Sequence, residues 1–217
     1  MKTISVSLSP ALNIQLYEGL GGLGTRTWPS AVGLARWVVG GEQCDITGLR
    51  VLECGSGTGL VSLAFAARGA SVLTTDVDKN ALRLTELAAE AQGLGSNCKT
   101  QPFDIFSSQP LPQCDLLVAA DVIYSEALAT AFAERCDEII RKGGRAIVAD
   151  PGRPTRRAFH ESLALACNDT YTACVRTAAE VGSFDEWVRA PAAARSALLM
   201  LHVEAEEDAV EVPTDLS

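Results

Sequence analysis

The sequence predicts an α/β fold: a seven-stranded, mostly parallel sheet with helices on both faces and an antiparallel C-terminal strand pair. Three observations carry that prediction. After residue 48, short apolar runs alternate with longer amphipathic ones, the pattern of helices covering a largely parallel sheet. The segment "CDLLVAAD" (114–121) is almost wholly apolar, as a central strand buried on both faces must be. The stretch "VLECGSGTGL" (51–60) ends a strand in alternating glycines and opens a helix, a connection that brings backbone N–H groups close to a ligand.

The segment "TWPSAVGLARWVVGG" reads as a helix introduced by Pro29, whose fixed φ suits the first helical position, with Val32, Leu34, Trp37 and Val38 free to pack. The first strand–helix unit is "LRVLEC", the glycine turn and a helix over about 58–68; the second is "SVLTTD" with a helix over about 79–92, stopped by "GLGSN". "CKTQPFD" is the third strand and "CDLLVAAD" the fourth, separated by a Pro-rich loop. Leu128, Phe132, Cys136, Ile139 and Ile140 then share one helical face that ends at "KGG". "RAIVADP" is the fifth strand, followed by a helix over about 155–167. "YTACVRTAAEV" and "SALLMLHVEA", joined by "GSFDEWVRAPAAAR", are β-like and are expected to close the sheet as its antiparallel edge. Residues 1–27 stand before this scheme as an N-terminal extension, 28–203 form the domain, and 204–217 form an acidic, solvated tail.

Composition narrows the function classes. The formal net charge of −9 in 217 residues is concentrated in the tail, where Glu204, Glu206, Glu207, Asp208, Glu211 and Asp215 have no Lys or Arg among them. Nucleic-acid binding domains usually present a basic face, and the one basic cluster, Arg153, Arg156 and Arg157, is too small to supply it. The seven cysteines are odd in number, scattered and without CxxC spacing, and the two histidines, His160 and His202, sit apart from the motifs. Neither a disulfide framework nor a zinc or other metal centre is expected, and reduced thiols fit a cytosol-like compartment. With no apolar run of about 18 residues, the expectation is a soluble, cytoplasmic protein without a membrane partner. Organelle import after removal of a leader stays open, and the oligomeric state is not legible.

Two nucleotide-type cofactors compete for the glycine loop. A dinucleotide fingerprint GxGxxG counted from Gly55 needs glycine where Leu60 stands, and the P-loop pattern GxxxxGK[ST] is absent. What remains, Glu53-x-Gly55-x-Gly57-x-Gly59, resembles the first motif of the class I S-adenosylmethionine-dependent methyltransferases. That resemblance implies a Rossmann-like seven-stranded sheet with S-adenosylmethionine as cofactor. It also implies that Glu53 orients the methionine amino end, directly or through water, while the glycines make room for the cofactor. Asp76, ending "SVLTTD", is placed to accept both ribose hydroxyls, and its rival Asp78 is assigned the cap of the next helix. Under the same resemblance Asp104 of "PFD" accepts the adenine amino group, with Val77 and Ile105 as apolar walls. Helix capping or loop solvation is the other reading of Asp104.

"AADVIY" resembles the D-x-x-Y motif of the family 16 methyltransferases, seven-strand enzymes most of whose known members methylate lysine side chains of specific proteins. The matching residues are Asp121 and Tyr124, preceded by Ala120 in the cofactor set, and Trp28 of "TWPSA" matches that group's Trp-Pro element beside the cofactor. The resemblance spans roughly residues 27–153 in the expected order. It implies a methyltransferase domain over 28–203 acting on a lysine of a protein substrate, with Asp121 holding the incoming ammonium and Tyr124 bonding the nitrogen or walling the methyl channel. By residue chemistry alone, Asp121 can instead cap the following helix with Tyr124 packed beneath it, and Trp28 can be a core staple.

"ADPGRP" is similar to the DPGR stretch of the lysine methyltransferases acting on the electron-transfer flavoprotein β subunit, but that branch's "PFWA"-like approach is replaced here by "GGLGTRTWPS". Substrate identity therefore does not carry over. Arg153 either recognises an acidic substrate patch or ties down a loop carbonyl; Arg156 and Arg157, near a helix start, are either solvated or touch substrate. The competing functions are a small-molecule N- or O-methyltransferase and a cofactor-binding interaction module without catalysis.

Overall fold

The computed structural model describes residues 1–19, 22–40, 45–167, 174–177, 183–189 and 198–203; the acidic tail lies outside them. Period-two alternation shapes the chain from its first residues. Ile4, Val6 and Leu8 on β1 (Lys2–Ser9) and Ile14 and Leu16 on β2 (Leu12–Glu18) are buried, and the two strands pair antiparallel across a two-residue turn. A lone hairpin is marginal in water. This one lays its apolar face on α1 (Pro29–Val39) and α3 (Lys79–Ala91). Gln92, just past α3, clasps it further: its Oε1 accepts from the Gln15 N–H at 2.9 Å and its Nε2 donates to the Gln15 carbonyl at 2.9 Å.

Seven further strands make one sheet: β3 (Arg50–Cys54), β4 (Ser71–Asp76), β5 (Cys98–Pro102), β6 (Leu116–Ala120), β7 (Arg145–Asp150), β8 (Cys174–Thr177) and β9 (Leu198–His202). Their order is β5-β4-β3-β6-β7-β9-β8, and every neighbouring pair runs parallel. Among the described residues the remaining α-helices are α2 (Leu60–Ala67), α4 (Glu126–Arg141), α5 (Arg156–Cys167) and α6 (Phe184–Arg189). One face of the sheet carries α1, α2, α3, α6 and the hairpin, the other α4 and α5. Leu116 to Ala119 of β6 are fully buried between these layers, which is why that strand reads as an unbroken apolar run. Each such leucine or valine contributes roughly 1.5–3 kcal/mol on burial.

The expected antiparallel closing pair is corrected. β9 runs parallel to β7, and β8 parallel to β9; among the described residues the antiparallel pair is the N-terminal hairpin. A parallel return needs a crossover of a dozen or more residues, and the stretch between β8 and β9 is long enough and contains α6. That helix was legible in "SFDE". The Ser183 N–H donates to Glu186 Oε2 at 2.7 Å while the Glu186 N–H donates to Ser183 Oγ at 3.2 Å, a reciprocal capping box. Phe184 then packs edge-on against Trp37 and Phe65, and the buried Arg68–Asp185 ion pair at 2.8 Å sets where α6 docks. No described helix is long and apolar enough to cross a membrane.

Strand order reverses between β3 and β6. In an open parallel sheet the connections on either side of such a point leave in opposite directions, so a crevice opens outside the strands' carboxyl ends.

Candidate active site

A cleft of about 710 Å³ opens at that reversal, within the size range of small-ligand sites. Its walls come from the ends of β3, β4 and β6, from the loop after β5, and from the approach to α1. Gly55 and Gly57 line it with positive φ of 69° and 56°. A side chain at Gly55 would put its Cβ 2.7 Å from Val122 Cγ1, so glycine is needed there for backbone and wall to meet.

Asp76 is buried at the end of β4 and faces the cleft. Its Oδ2 accepts from the Gly57 N–H at 2.9 Å and its Oδ1 from the Asp78 N–H at 2.9 Å, so one carboxylate holds the glycine turn to the next loop. Burial raises this carboxyl above its usual range, with the backbone N–H bonds pulling the other way. Each oxygen keeps a second lone pair for a hydroxyl donor. Asp78 caps α3, its Oδ1 accepting from the Asn80 N–H at 2.8 Å, as expected.

Val77, Asp104, Ile105 and half-buried Ala120 and Trp28 all line the cleft. The Asp104 Oδ1 accepts from the Phe106 N–H at 2.9 Å, bending the loop while the carboxylate stays exposed. Trp28 is the N-cap residue of α1, and its Nε1 donates to the Leu23 carbonyl at 3.1 Å. Phe103 and Phe106 complete this wall and were not singled out from sequence. Nor was Arg135 of α4, which donates to the carbonyls of Ile105, Ser107 and Gln109 and lies over the Phe103 ring at 5.5 Å. Its guanidinium gives the 103–109 loop one shape.

Two residues expected at the ligand are not on the cleft wall. Side chains alternate along β3, so Glu53 turns under α2 while Cys54 reaches the cleft. The Glu53 Oε2 accepts from the Ser62 N–H at 2.9 Å and from the Ser62 hydroxyl, which in turn accepts from Thr74 Oγ1 at 2.7 Å. Gly59 lies at the start of α2 with φ 79°, and a Cβ there would come within 2.4 Å of the Thr85 side chain. Its lack of a side chain makes room for α3. Cys54 is a buried wall residue whose thiol burial pushes up to about 12, which leaves it protonated and unreactive.

Burial pushes the Glu53 carboxyl up to about 8 from its usual 4.5, against the lowering effect of Ser62. An acid that holds its proton more tightly when folded stabilises the fold less as pH rises, here between about 4.5 and 8. Glu53→Gln removes this titration. Urea unfolding at pH 5 and pH 8 is expected to show wild type losing on the order of a few kcal/mol more than the variant across that window; equal losses in the two proteins would contradict it.

Asp121, directly after β6, has φ 62°, the only positive φ outside glycine among the described residues. Its N–H donates to the Ala149 carbonyl at 2.9 Å, and its buried carboxylate faces the cleft. It does not cap α4: Ser125 does, accepting from the Leu128 N–H at 3.3 Å. Instead Asp121 Oδ1 accepts from Arg153 Nε at 2.9 Å and from a second nitrogen of the same guanidinium. Tyr124 also lines the cleft and is 53% exposed, so it is not packed beneath the helix. Arg153 thus pairs with Asp121 and not with a loop carbonyl among the described residues, and Arg156 donates to Asp150.

A family model described as lysine methyltransferase matches residues 7–161. Over 135 residues the chain is 32% identical to the electron transfer flavoprotein beta subunit lysine methyltransferase of Rattus norvegicus, covering 58% of this chain and 49% of that protein. Over 163 residues it is 29% identical to the ribosomal protein L11 methyltransferase of Pseudomonas fluorescens (strain SBW25), covering 71% and 52%. Over 119 residues it is 28% identical to the ubiquinone biosynthesis O-methyltransferase of Xylella fastidiosa (strain M23), covering 54% and 48%. The chain spans about half the length of these curated relatives.

Proposed function

The chain belongs to the lysine methyltransferase family, and from that premise we propose that it transfers methyl groups from S-adenosylmethionine to a lysine side chain of a protein substrate. The observation that carries the reading is that one cleft gathers Asp76, Asp104, Asp121 and Tyr124 from three different strand ends. The donor set fits the cofactor. Asp76 offers acceptors for two ribose hydroxyls, Asp104 an acceptor for the adenine amino group, and Val77, Ile105 and Phe106 apolar surface for the base. Gly55 and Gly57 let backbone approach it, with Trp28 and Ala120 on the wall. Glu53 stands behind the glycine turn, its carboxylate bonded to Ser62 of α2.

When bound, the cofactor supplies a sulfonium-borne methyl group open to in-line displacement by an amine. The protein has to bring a lysine nitrogen into line, strip its proton and keep water away. A free lysine titrates at about 10.4, and an apolar channel lowers that by disfavouring the charged form. Asp121 holds and orients the nitrogen, and the Tyr124 hydroxyl gives it a second hydrogen-bonding partner. Two large side chains at the cleft that the base does not use, Leu23 and Tyr124, are well exposed. Apolar surface gathered around a polar site suits a protein partner better than a lone metabolite.

A second reading, methylation of a small molecule, draws on the likeness to the ubiquinone biosynthesis O-methyltransferase. Incubating the protein with methyl-labelled S-adenosylmethionine and cell extract separates the two. Label in protein, recovered as methyl-lysine after hydrolysis, is the expected result; label confined to small metabolites would favour the second reading. In thermal-shift measurements S-adenosylhomocysteine should stabilise the protein and NAD should not, and stabilisation by NAD alone would sink the cofactor assignment.

A further inference from the structure

The Asp121 carboxylate has a cation on it before any substrate arrives. The Arg153 guanidinium binds its Oδ1 through two nitrogens, with the carboxylate side chain 4% exposed and the guanidinium side chain 33% exposed. An ammonium arriving at the same carboxylate would sit within a few ångströms of the guanidinium, and the two like charges repel. A lysine that uses Asp121 therefore competes with Arg153 for it.

The structure holds a second seat for that arginine. Asp150 is fully buried at the end of β7. Its Oδ1 is engaged by the Gly152 N–H at 2.8 Å, the Arg153 N–H at 2.9 Å and the Arg156 guanidinium, through Nε at 3.1 Å and a second nitrogen at 2.9 Å. Among the described residues its Oδ2 has no hydrogen-bond partner, and it lies 3.8 Å from Arg153 Nε. A buried carboxylate oxygen without a donor is costly, and a shift of about 1 Å would bring Nε within hydrogen-bonding range of it. The backbone of Arg153 is already pinned to Asp150, so only side-chain torsions have to change.

We propose that Arg153 is a positioning residue: it covers Asp121 in the empty cleft and moves onto Asp150 when the substrate ammonium takes its place. This rests on the lysine methyltransferase reading. The exchange makes Asp121 selective, because a cation supported by no other contacts fails to dislodge the guanidinium, whereas a lysine delivered by a docked protein does so with binding energy from elsewhere on the surface.

The test uses n-butylammonium, the end of a lysine side chain without its protein, titrated by NMR into the full chain saturated with S-adenosylhomocysteine. If the guanidinium covers Asp121 in about nine molecules of ten, Arg153→Gln should bind the probe about tenfold more tightly than wild type. Arg153→Lys, which restores a cation, should return affinity toward the wild-type value, and adding Asp121→Asn to Arg153→Gln should abolish the gain. Asp150→Asn, which weakens the second seat, should bind the probe less tightly than wild type. Equal affinity in wild type and Arg153→Gln, including no measurable binding to either, would overturn the proposal, as would an Arg153→Lys variant that behaves like Arg153→Gln. A wild-type protein that does not take up S-adenosylhomocysteine would instead overturn the cofactor reading on which it rests.

Discussion

Asp121→Asn is expected to slow methyl transfer by about 10²–10³-fold while leaving the affinity for S-adenosylhomocysteine within about threefold of wild type. Asparagine is chosen over alanine because Asp121 sits at φ 62°, a left-handed conformation that Asn tolerates and Ala does not. The amide keeps one acceptor oxygen for Arg153 and nearly the same volume, so the wall between β6 and α4 should survive. What it lacks is the charge that holds an ammonium and orients the nitrogen as the proton leaves. Initial rates of label incorporation into extract protein, paired with calorimetric titration of S-adenosylhomocysteine, check both halves. A rate within threefold of wild type would remove Asp121 from the nucleophile's environment; collapse of cofactor affinity would make it part of the cofactor site.

Asp76→Ala is expected to weaken S-adenosylhomocysteine binding by about 100-fold or more, a change of about 2.7 kcal/mol. Two losses add. The substitution removes both acceptors for the ribose hydroxyls, and it releases the Gly57 and Asp78 N–H groups from the carboxylate that ties the glycine turn to the loop before α3. Unpaired N–H groups at a buried site cost roughly 1–3 kcal/mol each, so a fall in urea stability should accompany the lost affinity. Asp76→Asn, with one acceptor and one donor, should fall between the two proteins in both measurements. Full affinity in the alanine variant would show that the ribose is held elsewhere.

The contrast between Asp76 and Glu53 shows what a linear sequence discloses. Both are acids at the ends of adjacent parallel strands, and both were assigned to the cofactor from their motifs. Asp76 is the last residue of its strand and faces the cleft. Glu53 stands one residue before its strand's end, and the period-two pleat turns it beneath α2 toward Ser62. The N-terminal hairpin is a different case. Ile4, Val6, Leu8, Ile14 and Leu16 alternate as strand residues do, yet only the surfaces of α1 and α3 show why two strands outside the main sheet are stable there.

The sequence by itself determined the order of strands and helices from residue 48 to the helix ending near 167, the apolar central strand, the glycine turn, and the presence of Asp76, Asp104, Asp121 and Tyr124 at strand ends. These follow from periodicity and punctuation within short windows, where the physics is local. Tertiary structure alone decided that β8 and β9 run parallel to β7, that Arg135 shapes the 103–109 loop, and that Arg153, 32 residues along the chain from Asp121, covers its carboxylate. Strand direction depends on how the crossover between strands is routed. Partners across the cleft depend on which strands the sheet places side by side, and β6 and β7 become neighbours only once the intervening α4 has folded back over them.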